Sequence, residues 1–361
     1  MTTTTSVSIT GTATQGQLLI ADTSALTDPN GLGTLFYQWQ ADGVTINGVT
    51  GDRLSLTQAQ VGKAITVIVS YTDGLGTPAS VTSSASIAVA NVNDAPTGGV
   101  TLTGTATQGQ TLTADNTLAD MDGLGSISYQ WKADGVAING ASASTFVLGQ
   151  EQVGKAITVT ASYTDGFGAP ESKTSAASAA VVNVNDTPTG TVTLTGTATQ
   201  GQTLTAANTL ADIDGLGSIS YQWKAGGVAI SGATASTFVL GQAQVGKAIT
   251  VTASYTDAQG AAESVTSSAS TAVANVNDAP TGDVTLAGTA AQGQTLMAAN
   301  TLADLDGLGA ISYQWKADGV AINGATASAL TLGQDQVGKV ITVTASYTDA
   351  RGAAESVTSS A

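Results

Sequence analysis

Apolar and polar residues alternate along much of this chain. In Ser126-Ile-Ser-Tyr-Gln-Trp-Lys132, Ile127, Tyr129 and Trp131 fall on one side of an extended backbone, and Ser128, Gln130 and Lys132 on the other. Period-two alternation marks a strand with one buried face. The following Ala133-Asp-Gly-Val136 predicts a tight hairpin into a short strand, Val136–Ile138, which ends at the turn signal Asn139-Gly140. Further on, Ile157, Val159, Ala161 and Tyr163 alternate with Thr158, Thr160, Ser162 and Thr164, predicting a second long strand. Gln152-Val-Gly-Lys155 before it reads as a turn. Thr111–Ala114 predicts a shorter strand, and Phe146 and Leu148 mark another. No long helix-period pattern occurs.

The same pattern returns four times. Tyr-Gln-Trp stands at 37–39, 129–131, 221–223 and 313–315, and these contain the only four tryptophans. The long second strand recurs as Ile65–Tyr71, Ile249–Tyr255 and Ile341–Tyr347. A repeat therefore spans 92 residues and contains about seven short strands, with Trp on the third and Tyr on the sixth. That predicts an all-β fold of four tandem immunoglobulin-like β-sandwich repeats, spanning 1–93, 94–185, 186–277 and 278–361. With no Cys, each core is held by packing alone.

The first repeat has one extra residue between Gly16 and Trp39, and Asp28-Pro-Asn30 where the others have Asp-x-Asp. The joints are Asn91-Val-Asn-Asp-Ala-Pro96, Asn183-Val-Asn-Asp-Thr-Pro188 and Asn275-Val-Asn-Asp-Ala-Pro280. They are short, so each repeat is expected to touch mainly its neighbours. By alignment with the third repeat, the fourth stops before the equivalent of Ser270–Asn277. Either the chain is an excerpt of a longer array, or another segment fills that place, such as Met1–Val7 of a second molecule.

Composition narrows the function. The net charge is −16, from 26 acids against 10 bases, which gives no electrostatic basis for binding nucleic acid or an anionic membrane. No stretch of 18 apolar residues exists to span a bilayer. With no His and no Cys, the commonest general base and thiol nucleophile are missing. Paired carboxylates could serve a glycosidase, but here they repeat with the scaffold at turn positions, so no enzyme is expected. The recurring Gly-Leu-Gly precedes no helix and is not a phosphate loop. Thr101, Thr103 and Thr105 form a hydroxyl row, as expected of solvent-facing strand positions.

The acids gather at equivalent loops. Asp120 and Asp122 lie between the second and third strands, and Asp165 follows the Tyr strand. In a sandwich these two loops share one end, where Asn93 and Asp94 enter. The counterparts are Asn185, Asp186, Asp212, Asp214 and Asp257, then Asn277, Asp278, Asp304, Asp306 and Asp349. Such convergent oxygens suit Ca²⁺, which takes six to eight of them. Equally, Asp-Gly and Asn-Asp-Pro make turns through side-chain hydrogen bonds to the backbone. The spacing excludes an EF-hand.

The joint resembles the cadherin linker: Asn93-Asp94-Ala95-Pro96 and Asp120-Met-Asp122 match one half of it. Asn91 replaces an acid, and Gln58-Ala-Gln-Val-Gly62 carries no acidic ligand, which leaves enough for one ion per joint. Thr105–Thr113, Tyr129–Gly135 and Val153–Asp165, with the joints, resemble the tandem immunoglobulin-like repeats of large bacterial surface and secreted adhesins of the repeats-in-toxin type. That resemblance implies an extracellular, cell-surface stalk that presents a tip, with neighbouring repeats as partners. The alternatives are a module binding glycan or protein through its loops, and a self-associating filament subunit built by strand donation.

Overall fold

The first repeat shows how the alternating pattern becomes two sheets. Its strands are β1 (Ser8–Thr10), β2 (Leu18–Asp22), β3 (Phe36–Ala41), β4 (Val44–Thr45), β5 (Arg53–Ser55), β6 (Ile65–Thr72) and β7 (Pro78–Thr82). One sheet has the order β1-β2-β5 and the other β4-β3-β6-β7, with antiparallel pairing throughout. Trp39 pairs with Val67 across β3 and β6, so the inward positions of the two central strands face the same core. In the computed structural model residues 5–361 are described, and they fall into two compact units, Met1–Val184 and Asn185–Ala361. Each unit contains two such sandwiches.

Four hydrophobic clusters form, one per repeat, and each is centred on a fully buried tryptophan. Burying an indole leaves its N–H needing an acceptor. Each finds a carbonyl twelve residues on: Gly51, Ala143, Ala235 and Ala327, at 2.8–2.9 Å. Phe146 and Phe238 stack on Trp131 and Trp223 with ring centroids 5.6 Å apart. The fold class is thus all-β, made of tandem immunoglobulin-like sandwiches.

Local chemistry sets the connections. Asp134 (φ 47°) and Gly135 (φ 81°) both adopt left-handed backbone, as a two-residue type I′ hairpin requires. The turn before the Tyr strand begins as a single 3₁₀ turn, Gln150–Gln152. The segment leading into the joint is not a full strand. In the first repeat it makes isolated bridges only, Thr14 to Ala90, Val61 to Val89 and Ala64 to Ala88, which nevertheless bury Val89.

Only the end of the Met1–Val7 segment is described. Met1–Thr4 lie outside the described residues, and Val7 is buried in the first core, where its own chain already uses it. No helix of the described residues is long and apolar enough to cross a membrane.

Candidate functional site

The loop holding Asp120 and Asp122 is set by a close backbone approach. A Cβ on Gly125 would lie 2.0 Å from the carbonyl oxygen of Thr164, so only glycine lets this loop rest on the end of the Tyr strand. The second glycine of each Gly-Leu-Gly has the same neighbour: Gly33 meets Thr72, Gly217 meets Thr256 and Gly309 meets Thr348. The Gly166 N–H then donates to the Asp122 carbonyl at 3.0 Å, fixing the two loops together.

The aspartates divide their oxygens between turn and joint. Asp120 Oδ1 accepts the Asp122 N–H at 2.9 Å, while its Oδ2 accepts the Tyr163 hydroxyl at 2.5 Å. Asp165 Oδ1 accepts the N–H groups of Phe167 and Ala169. These are the turn-forming bonds that Asp commonly makes. Asp122 instead faces the preceding repeat. Its Oδ2 accepts the Asp94 N–H at 2.7 Å, and its Oδ1 accepts Gln58 Nε2 at 2.9 Å. The Asn91 side chain bonds it as well. The Asp94 N–H holds the Asp122 carboxyl below the usual carboxylate range, with Asn91 and Gln58 helping, against the opposing effect of burial.

A second glutamine completes the joint. Gln15 Nε2 donates to Asp94 Oδ2 at 2.8 Å, and its Oε1 accepts the Val92 N–H at 3.1 Å. Asn93 donates its side-chain amide to Glu171 at 2.6 Å. The second unit repeats this arrangement. Gln242 donates to Asp306 at 2.9 Å, Gln200 to Asp278 at 2.8 Å, and Asn277 to Glu355 at 2.6 Å. The Asp278 N–H donates to Asp306 at 2.8 Å and lowers its pKa in the same way. Also in that unit, Asn185 bonds Glu263, the Asp186 N–H donates to Asp214, Tyr255 donates to Asp212, and Asp257 holds the Gln259 and Ala261 amides.

Three buried oxygens at the first joint have no hydrogen-bond partner: Gln58 Oε1, Asn91 Oδ1 and Asp165 Oδ2. Their counterparts Gln242 Oε1, Asn275 Oδ1 and Asp349 Oδ2 are in the same condition. Orphaned buried acceptors are uncommon and call for a partner. Carboxylate oxygens of Asp304, Asp306 and Asp349 also lie within 4.8 Å of one another. An all-oxygen set of this kind, with no nitrogen or sulfur ligand, fits a hard cation such as Ca²⁺ rather than a transition metal.

Gln15 and Gln58 are not among the residues expected from the sequence, because neither is an acid. The available signal was recurrence: Gln stands at 15, 108, 200 and 292, and again at 58, 150, 242 and 334.

No family model and no curated protein matches the chain. Solved structures do. One, a Ca²⁺-stabilized adhesin that helps an Antarctic bacterium reach out and bind ice, is 14% identical with a TM-score of 0.35, covering 98% of this chain and 97% of its own. A tetra-tandem repeat from the extending region of a large adhesion protein is 21% identical with a TM-score of 0.34 and the same coverage. The extracellular cadherin domains 1–5 of protocadherin gamma B2 are 14% identical with a TM-score of 0.29, covering 96% of this chain and 76% of that one. The chain is therefore similar to tandem-repeat regions of bacterial adhesins and to cadherin repeats.

Proposed function

We propose that the chain is a structural extender of a bacterial cell-surface or secreted adhesin. Each repeat, 1–93, 94–185, 186–277 and 278–361, acts as one sandwich, and Ca²⁺ stiffens the joints. The supporting observation is the joint itself. In both units a glutamine in the 3₁₀ turn of one repeat donates to an aspartate of the next, beside the same three orphaned oxygens. An ion at the first joint would take Asp120, Asp122 and Asp165 with the amide oxygens of Gln58 and Asn91. At the joint in the second unit it would take Asp304, Asp306 and Asp349 with Gln242 and Asn275. Asp212, Asp214 and Asp257 are the corresponding carboxylates of the third repeat. Asn93, Asn185 and Asn277 would act as positioning residues, each holding a glutamate of its own joint. One ion per joint would neutralise a cluster that otherwise repels itself, and would resist bending of one repeat against the next.

Calorimetry on the apo chain with and without added Ca²⁺ tests the metal. A rise in melting temperature that chelator reverses is expected, and superimposable curves would end the calcium reading. Small-angle scattering tests the extender separately. A maximum dimension close to that of four sandwiches placed end to end is expected, and a value near that of two would count against it.

A further inference from the structure

In all four repeats a tyrosine hydroxyl and a main-chain N–H fix the first aspartate of the loop between the second and third strands. In the first repeat these are Tyr71, which donates to Asp28 Oδ2 at 2.9 Å, and the Asn30 N–H, which donates to Asp28 Oδ1 at 2.9 Å. Asp73 Oδ1 accepts the N–H groups of Leu75 and Thr77 at 2.9 and 2.7 Å, as Asp165 Oδ1 accepts those of Phe167 and Ala169. Gly74 N–H donates to the Asn30 carbonyl, as Gly166 N–H does to that of Asp122. Asp28, Asn30 and Asp73 therefore stand where the second repeat has Asp120, Asp122 and Asp165.

On this shared skeleton two residues differ. The later repeats read Asp-Met-Asp, Asp-Ile-Asp and Asp-Leu-Asp, and the first reads Asp28-Pro29-Asn30. Asn has nearly the shape of Asp, but it carries no charge and its nitrogen donates. Asn30 Nδ2 donates to Asp73 Oδ2 at 3.1 Å. The equivalent oxygen is the one left over elsewhere: Asp165, Asp257 and Asp349 each have a buried Oδ2 with no hydrogen-bond partner. In the fourth repeat the carboxylates of Asp304, Asp306 and Asp349 also crowd within 4.8 Å, three like charges that a cation would relieve. The first repeat has two carboxylates at these positions, and a donor already bonded to the oxygen in question.

Pro29 acts in the same direction. Gly31 N–H donates to the Asp28 carbonyl at 3.0 Å, closing a turn with Pro29 at its second position. Proline fixes φ at the value that position needs, so the loop loses less entropy on folding. Gly123 and Gly307 close the corresponding turns on Asp120 and Asp304 at 3.2 Å around Met121 and Leu305, which supply no such restraint. Both changes hold the first loop by means built into the chain.

We propose, on the calcium reading above, that Asp28-Pro29-Asn30 is a cation-independent form of the loop, in which the Asn30 amide takes on Asp73 the place that Ca²⁺ takes on Asp165 and Asp349. The residue at this one position decides whether the loop depends on the ion. Hydrogen exchange of the full chain, in chelator and in millimolar Ca²⁺, tests it. In the parent, Ca²⁺ should slow the amides that Asp165 and Asp349 hold, those of Phe167, Ala169, Arg351 and Ala353, and leave Leu75 and Thr77 unchanged. In the Asn30→Asp chain, Leu75 and Thr77 should exchange about tenfold faster in chelator, the loss of one hydrogen bond to a charged group, and Ca²⁺ should reverse the change. Asp306→Asn is the converse swap. It should slow Arg351 and Ala353 in chelator and abolish their response to Ca²⁺. If no turn of the parent responds to Ca²⁺, the calcium reading falls and this assignment with it. If the Asp165 and Asp349 turns respond, the calcium reading stands. The assignment is then overturned on its own by an equal response of Leu75 and Thr77 in the parent, by unaltered exchange in the Asn30→Asp chain, or by a parental calcium response in the Asp306→Asn chain.

Discussion

Gln58 of the first repeat donates its amide to Asp122 of the second at 2.9 Å, and Gln242 does the same for Asp306. A neutral side chain thus stands against a buried carboxylate. Removing it with Gln58→Ala leaves that carboxylate short of a donor, at a cost of about 1.5–3 kcal/mol. Faster hydrogen exchange at the Asp122 loop, with the tryptophan cores unaffected, is the expected sign. Gln58→Glu is the sharper probe. Without Ca²⁺ it places one anion against another and loosens the joint. With Ca²⁺ it adds a charged ligand, so the calcium-induced rise in melting temperature should exceed that of the parent. An equal or smaller rise would argue that no ion binds there.

The joint has a definite acid limit. Asp122 and Asp306 titrate below the usual carboxylate range, chiefly because the N–H groups of Asp94 and Asp278 donate to them. A depressed folded-state pKa means the stabilisation is complete above about 4, the unfolded value, and is lost as pH falls through the folded value. Melting curves should therefore keep their joint contribution from pH 7 to 5 and lose it below about 4. The tyrosines set the opposite limit. Burial, and then the Asp120, Asp212 and Asp304 carboxylates, raise the pKa of Tyr163, Tyr255 and Tyr347. Their contribution is complete below about 10 and is lost as pH climbs beyond it. Tyr71, whose hydroxyl donates to Asp28, is raised too, so absorbance of tyrosinate during an alkaline titration should show four tyrosines ionising late.

The sandwich was legible because its signals are local. Ile127, Tyr129 and Trp131 announce a half-buried strand on their own, and Asp134-Gly135 announces the hairpin after it. The joint was legible only in part. Asp94 and Asp122 stood out as acids at turns, and both do belong to the joint. Gln15 and Gln58 lie 79 and 64 residues from the aspartates they bond, and an isolated glutamine carries no signature of its partner. The direction of Asn93 toward Glu171 was hidden for the same reason, since it depends on where a loop 78 residues away comes to rest.

Each tryptophan should behave as the keystone of its own repeat. Trp131→Ala removes a fully buried indole and its bond to the Ala143 carbonyl, costing about 3–5 kcal/mol. A small sandwich has only about 5–15 kcal/mol in all. The second repeat should unfold first in urea, while hydrogen exchange in the fourth core stays at its parental rate. Equal loss in all four repeats would mean that the cores fold as one. Trp131→Phe keeps most of the volume but not the N–H, and should cost less than the alanine change.

Gly125→Ala tests whether the loop geometry, rather than its charge, positions the aspartates. The added methyl would lie 2.0 Å from the Thr164 carbonyl oxygen, an approach that no relaxation of a flexible side chain can relieve, because the obstacle is backbone. The loop must lift away from the Tyr strand. Lifting it breaks the Gly166 to Asp122 bond and withdraws Asp122 from Gln58 and the Asp94 N–H together. One methyl at a loop position outside the hydrophobic core should therefore loosen the joint as much as Gln58→Ala does, and the double change should add little to either alone. Gly123→Ala, on the same loop, meets backbone no closer than 3.6 Å but forces an L residue to φ 102°. It should strain the turn without that clash, so a melting temperature lowered less than by Gly125→Ala is the expected result, and the reverse order would show that the close approach at Thr164 does not set the loop.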